Sequence, residues 1–324
     1  MNLTGVHLGS YWMGENDVVY LMAQELKNKG HTELVDTKIY DNSTGNWYSE
    51  ELRPGHTYPI RWINHNKLVK LVGKLKPNYV VLNAGGMAIT EQTKEWLSNR
   101  RVVCVGIELS DPDVFADNGQ IYGDNFDLFY TNSLHSLKRQ YPQSSKYRHL
   151  PFAASPSLHK PLRKVSKQYD VVVVGHARPE RIEIVSALRE YFSVKTYGSG
   201  WDQSSNEVHG LDHTRAINSG RIYLSFSQTY AGYNNVKVGL FEAAACRTCI
   251  VTSFNTEMAP LFTYGVDVVG YHSEEDLIRT VQYCLLHPQY QEWIAENSYR
   301  RVLKEHTWEK RWENILKDIY EIRS

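Results

Sequence analysis

The chain is poor in the features that mark a specialised class. Its 324 residues include only four cysteines, and neither sign of charge is in excess, 36 basic side chains matching 36 acidic ones. A zero formal net charge argues against avid, sequence-independent nucleic-acid binding, which depends on a basic surface displacing counterions, so no nucleic-acid partner is expected. No apolar run approaches the roughly 18 residues that a membrane-spanning helix needs, so no transmembrane segment is expected. The first residues, MNLTGVHLGSYWMG, have neither a charged n-region nor a long apolar h-region. No secretory signal is therefore expected, and the chain reads as cytoplasmic. Cys104, Cys246, Cys249 and Cys284 are scattered through apolar contexts. Cys246 and Cys249 form a CxxC, but no second CxxC accompanies them to complete a zinc site. The first falls at a helix end and the second at a strand start, so packing accounts for them better than redox or metal chemistry.

What is present is an alternation of apolar strands and amphipathic helices, repeated in two halves. In the first, GVHLGSY precedes the helical pattern DVVYLMAQELKNKGH, then come ELVDTKIY and a polar irregular stretch from Asp41 to Pro59. The pattern predicts a helix from about Trp62 to Leu75, a strand at YVVLNAGG, a helix at EQTKEWLSNR and strands at RVVCVGIEL and FDLFYTN. Residues 151–168, rich in Pro, Ser and Lys, read as a linker. The second half opens with YDVVVVGHARPERIEIVSALREYF, a buried strand, a Gly turn and a helix, and continues in the same alternation. Ser273 and Asp276 resemble a capping box. Alternation of this kind predicts parallel sheets covered on both faces. The expected fold is α/β, with two doubly wound Rossmann-like domains facing across a cleft. Residues 1–150 form the first and 169–305 the second, and a C-terminal helix over 306–324 crosses back to the first.

The most informative stretch is SFSQTYAGYNNVKVGLFEAAACRTCIVTS, from Ser225 to Ser253. A strand runs into a polar loop, then a helix carrying Lys237 and Glu242, then a second buried strand. In an open parallel sheet, ligands sit at the carboxyl ends of strands, beside the N-termini of the following helices. A Lys at a helix start adds to its positive end and suits a diphosphate. Glu242 lies among small apolar residues, where a carboxylate is costly unless it is paired or hydrogen-bonded. Gly175, after four valines, lets the backbone approach a phosphate, or serves only as a strand-to-helix turn. Arg178, in a helix's first turn where a cation is disfavoured, can reach a diphosphate.

These segments resemble the CgeB-like branch of the group-1 glycosyltransferases, a GT-B family named for spore-surface maturation proteins. The resemblance runs through YDVVVVGHARPERIEIVSAL, VKTYGSGW, NVKVGLFEAAACRTCIVTS, TEMAPLF, VDVVGYHSEEDL and the tail HPQYQEWIAENSYRRVLKEHTWEKRW. It is looser before residue 165, through KPNYVVLNAGG, IELSDPDVF, FDLFYTN and LPFAASPSLHKP. It implies transfer of a sugar from a nucleoside-diphosphate sugar (UDP-, GDP- or dTDP-linked) to a hydroxyl acceptor of unknown identity, a glycan, surface polymer or small molecule. The nucleotide sugar is a co-substrate, and no cofactor or metal is implied. Tyr197, Gly198 and Trp201 stand where the family places the base and ribose. Tyr233, Asn234 and Asn235 suit phosphate or sugar contacts, or helix capping. Lys237 stands where family members often carry Arg, and Arg247 where they carry Gly; the first keeps the charge but loses the bidentate fork.

An inverting reaction needs a base for the acceptor hydroxyl, expected from the first half. His7 and Asp111 are the candidates, with Glu15 third. The aromatic insertion containing Trp47, Tyr48, His56, Tyr58 and Trp62 either lines an acceptor site or packs on its own domain. The aromatic-basic pattern of Trp308, Arg311 and Trp312 suits bracing or membrane contact. Three other readings stay open: a nucleotide-sugar epimerase, a non-catalytic nucleotide-sugar-binding or surface-assembly protein of the same fold, and a transferase acting on modified DNA bases.

Overall fold

A computed structural model describes residues 3–11, 17–29, 32–37, 47–55, 58–83, 85–110, 123–140, 144–202, 205–229 and 232–324. The chain divides into two compact units. One comprises Met1–Pro151, Thr229–Tyr233 and Glu309–Ser324, and the other Phe152–Gln228 and Asn234–Trp308.

The first unit contains β1 (Gly5–Gly9), α1 (Val18–Asn28), β2 (Thr32–Asp36), β3 (Tyr48–Glu51), β4 (Ile60–Ile63), α2 (His65–Leu75), β5 (Tyr79–Asn83), β6 (Met87–Ala88), α3 (Glu91–Ser98), β7 (Val103–Glu108), β8 (Leu128–Thr131), α4 (Leu134–Gln140) and β9 (Tyr147–His149). Its main sheet is parallel throughout, in the order β2-β1-β5-β7-β8-β9. Val6, Leu8, Val80, Val81, Leu82, Cys104 and Val105 are all buried, as strands covered on both faces require. Polar side chains start the helices: Asp17 accepts from Val19 N at 2.8 Å, Asn64 from Lys67 N at 3.1 Å and Thr90 from Thr93 N at 3.3 Å.

The helix expected from Trp62 begins instead at His65. The run Ile60–Ile63 is β4, antiparallel to β3 and parallel to β6 in a small second sheet. Its Ile-Arg-Trp-Ile composition favours a pleated, half-buried surface over a helix's first turn. Trp47, Tyr48, Tyr58 and Trp62 pack against the first unit's core, so the aromatic insertion packs on its own domain there. His56 lies outside the described residues.

The second unit runs β10 (Tyr169–Val174), α5 (Pro179–Arg189), β11 (Val194–Tyr197), α6 (Gly210–Ser219), β12 (Gly220–Ser225), α7 (Val238–Ala245), β13 (Cys249–Ser253), β14 (Val269–Tyr271), α8 (Glu274–Leu286) and α9 (Pro288–Glu305). Its sheet, also parallel, has the order β11-β10-β12-β13-β14. Ser273 caps α8 by accepting from Asp276 N at 3.2 Å, and the Asp276 carboxylate accepts from His272 N at 2.9 Å. The capping box is thus reciprocal, but one residue wider than the sequence suggests. All four cysteines are buried free thiols, Cys246 ending α7 and Cys249 opening β13.

The final helix, α10 (Trp308–Arg323), belongs from Glu309 onward to the first unit. Trp312 is wholly buried and donates its indole N–H to the Met22 carbonyl at 2.7 Å. Asp318 accepts from the Tyr130 hydroxyl at 2.5 Å and pairs with Arg148, while Arg323 donates to the Asn78 carbonyl at 3.0 Å. Arg311, itself buried, donates to the Pro151 carbonyl at 2.9 Å. Trp308, Arg311 and Trp312 are all buried, so this trio braces the fold and is not presented to a membrane. No helix among the described residues is long and apolar enough to cross one.

Candidate functional site

The carboxyl ends of β10, β11 and β12 bring most of the candidate donor residues together within the second unit. At the end of β10 the chain turns through Gly175, whose φ of +139° is rarely accessible to a residue with a side chain. Gly175 N donates to the Tyr197 carbonyl at 2.8 Å, and Ala177 N to the Ser199 carbonyl at 2.9 Å, so the loops after β10 and β11 run as one layer. Gly198, with φ of +124°, lies so close that a Cβ there would stand 2.3 Å from the Gly175 carbonyl oxygen. Trp201 closes the cradle by donating its indole N–H to that oxygen at 2.7 Å. With its one donor engaged and its ring packed on the unit's core, Trp201 forms a wall of this cradle. Tyr197 is half-buried beside it, its phenol raised above the usual range by burial.

Arg178 occupies the N-cap of α5, with Pro179 as the first helical residue. Its guanidinium donates to the Gln228 carbonyl at 3.3 Å, spanning from the β10 loop to the β12 loop. That second loop is internally tied. Gln228 and Asn234 form an antiparallel bridge, Asn235 N donates to the Ser227 carbonyl at 3.0 Å, and the Ser227 hydroxyl donates to Asn234 Oδ1 at 3.3 Å. Asn235 is almost fully buried and Asn234 exposed, so of the two amides expected to meet a ligand only Asn234 faces solvent. Tyr233 groups with the first unit, in a turn where Thr229 N donates to its carbonyl at 2.7 Å. Lys237 is the N-cap of α7, with extended backbone (φ −76°, ψ 152°) and no side-chain cap. The orphan N–H groups of α7 thus follow directly on Lys237, whose backbone forms the N-cap.

Glu242 sits on the second turn of α7 and is 8% exposed. Its Oε2 lies 3.0 Å from His213 Nε2 and its Oε1 3.5 Å from His159 Nε2. Burial alone would raise its pKa, but the two imidazoles outweigh burial and hold it down to about 2. The imidazoles shift in opposite senses. Burial drives His159 below its ordinary value, whereas for His213 the Glu242 carboxylate outweighs burial and raises it. Nothing in the sequence singles out either histidine; the one cue is that a carboxylate among Phe241, Ala243 and Ala244 needs a partner.

In the first unit the sequence expectations fare differently. His7 is not a candidate base. It is fully buried within β1, its Nδ1 is 2.6 Å from the Tyr11 hydroxyl and its Nε2 3.4 Å from Asn83 Nδ2. Burial lowers its pKa to about 3, so it is a neutral core histidine. Asp111 and Glu15 lie outside the described residues. At the end of β7 a carboxylate not singled out from the sequence, Glu108, is buried and accepts from Gly86 N at 3.0 Å and Ser110 N at 2.8 Å. Burial raises its pKa, and its hydrogen bonds tie the Gly-Gly turn after β5 to β7. Among the described residues no group of three or more His, Cys, Asp or Glu is arranged to hold a metal ion.

Residues 178–317 match a family model described as glycosyl transferase-like, which runs from α5 into α10 and includes Lys237 and Glu242. Known structures extend the likeness to both units. HepE of Anabaena, solved in complex with UDP and glucose, is similar with a TM-score of 0.65 at 12% identity, covering 99% of this chain and 100% of that one. A sucrose-phosphate synthase from Thermosynechococcus elongatus matches with a TM-score of 0.65 at 12% identity, covering 98% and 99%. A glycosyltransferase from Rickettsia africae matches with a TM-score of 0.63 at 10% identity, covering 99% of each chain. No curated protein matches by sequence. The chain therefore has the α/β GT-B fold of these glycosyltransferases.

Proposed function

We propose that the protein is a glycosyltransferase that moves a sugar from a nucleoside-diphosphate sugar to a hydroxyl-bearing acceptor. The observation that carries this reading is the backbone cradle at Gly175 and Gly198, beside a loop that ends in Lys237 at the start of α7. Backbone brought this close by two glycines, with Arg178 beside it and a helix N-terminus following Lys237, suits a diphosphate. Arg178 and Lys237 meet the charge that develops on the departing diphosphate, which is how transfer proceeds without a metal. Tyr197, Gly198 and Trp201 border the base and ribose, Tyr233, Asn234 and Asn235 shape the loop around the phosphates and sugar, and Glu242 accepts from the ribose hydroxyls. UDP is the first nucleotide to try, since HepE was solved with UDP and with UDP-glucose. The site of the base for the acceptor falls to the first unit, with Asp111 the remaining candidate of the first two.

A thermal-shift screen with UDP, GDP, dTDP, CDP and their sugar conjugates tests this. A nucleotide at 100 times its Kd adds about 2.7 kcal/mol of stability. The expected result is a shift with one diphosphate that Lys237→Ala and Glu242→Ala remove. No shift with any of them, in a folded sample, refutes the proposal.

A further inference from the structure

The proposed donor site uses Glu242 but gives no role to the two histidines that hold it, and their geometry is specific. An ionised carboxylate offers about four lone-pair directions. His213 takes one on Oε2 and His159 one on Oε1, leaving one on each oxygen. Two acceptor positions on adjacent oxygens match the two hydroxyls of a vicinal diol. The tautomer of His159 is also set: Ser155 N donates to its Nδ1 at 3.4 Å, so the ring proton sits on Nε2 and points at Glu242. His159 comes from the 152–168 segment, His213 from α6 and Glu242 from α7, so three separate elements converge on one carboxylate.

We infer that His159 and His213 are positioning residues of the donor site, holding the Glu242 carboxylate ionised and turned so that its free lone pairs accept from the ribose diol. This rests on the donor-site reading and adds the device that makes Glu242 a diol acceptor. Without both imidazoles, a carboxylate on an apolar helix would favour its protonated form or turn towards solvent, and in neither state would it present two acceptors.

A proton-linked signature follows. The groups facing the carboxylate are His159, His213, the Tyr223 phenol on β12 and the Cys246 thiol at the end of α7. Burial raises Tyr223 and pushes Cys246 up to about 12, so both stay uncharged through the neutral range. His159 is lowered and neutral there as well. His213 alone changes charge, at a pKa raised above its ordinary value. Below that pKa it is a fixed donor to Oε2; above it the ring is neutral and free to change tautomer.

The test is calorimetric titration of the full chain with two matched pairs, UDP and 2′-deoxy-UDP, GDP and 2′-deoxy-GDP, at about pH 6, below the raised His213 pKa, and at about pH 9. A hydrogen bond to a charged group is worth about a tenfold or greater preference for the ribonucleotide at the lower pH. That preference should shrink to near unity at the higher pH, and at both pH values in His213→Ala and His159→Ala. His213→Gln, whose amide can donate without titrating, should restore the preference and remove its pH dependence. The wild-type pH comparison needs no substitution, so a variant that fails to fold leaves the test intact. A ribonucleotide preference that is absent, or indifferent to pH and to His213→Ala, overturns the inference while nucleotide binding upholds the donor site. Binding of none of the four overturns both.

Discussion

Replacing Gly198 by Ala probes the cradle directly. The new Cβ would stand 2.3 Å from the Gly175 carbonyl oxygen and 2.7 Å from its carbon, with no flexible side chain able to yield. Gly198 also sits at φ +124°, where a side chain costs about 1–3 kcal/mol. Relieving the clash must move the Gly175 peptide, which weakens the hydrogen bonds from Gly175 N to Tyr197 and from Trp201 to Gly175, each worth about 1 kcal/mol net. The sum, about 3–5 kcal/mol, is a large part of a typical domain's stability yet compatible with folding. At about 2–4 °C per kcal/mol, the melting temperature of the second unit should fall by about 6–20 °C. Gly232→Ala is the control. It has φ +80° but no described atom within 4 Å of the place its Cβ would take, so it carries backbone strain alone, about 1 kcal/mol. Differential scanning calorimetry of both variants, with and without nucleotide, separates the terms. Equal losses in the two variants would refute the argument that close backbone approach holds this loop layer together.

Two further predictions concern charge. Arg247 adopts φ 56° just past the end of α7 and pairs with Glu292 and with Glu296, the latter at 2.6 Å. Arg247→Gly relieves about 1 kcal/mol of left-handed strain while losing exposed pairs of similar total worth, so its melting temperature should stay close to wild type. Arg247→Ala loses the pairs and keeps the strain, so it should melt about 2–4 °C lower than Arg247→Gly, and identical melting would show that the conformation is not costly. Acid should destabilise the fold in two windows. His7 and His149, lowered by burial to about 3 and about 4, take up protons only on unfolding, so stability falls as pH drops below about 6.5. Glu242, held down to about 2, contributes stability that is present above its unfolded value and lost as pH falls from about 4.3 towards 2. Urea unfolding across this range checks both windows, and a flat profile between pH 7 and about 4 would contradict the assignment of neutral core histidines.

The fold class was legible because continuous apolar runs such as Val171–Val174, broken by glycine and followed by amphipathic segments, have few other solutions than a parallel sheet under helices. The start of α7 was legible for a similar reason, since Lys237 and the preceding asparagines mark the passage from loop to helix. Period and propensity could not show that Ile60–Ile63 pairs as a strand, because its partners, Tyr48–Glu51 and Met87–Ala88, are distant in sequence. Nor could they show which way a strand residue points. The sequence suggests His7 at the end of the first strand, where a ligand would be expected, yet it is the middle residue of β1 and its ring turns into the core against Tyr11, Asn83 and Trp312. His159 and His213 escaped notice for the complementary reason: they lie 83 and 29 positions from Glu242, and only the folded backbone brings them to it.

The return of α10 to the first unit reverses the order in which the protein can be completed during synthesis. The described residues of the second unit end at Trp308, so they emerge from the ribosome before Glu309–Ser324 of the first. The half made first must wait. Its core beside His7 and Met22 stays open until Trp312 has been translated, and the Asn78 carbonyl waits longer still, for Arg323. The nascent chain therefore carries an unfilled apolar socket while residues 152–308 are being made. Its opening half is finished second, by the arrival of α10.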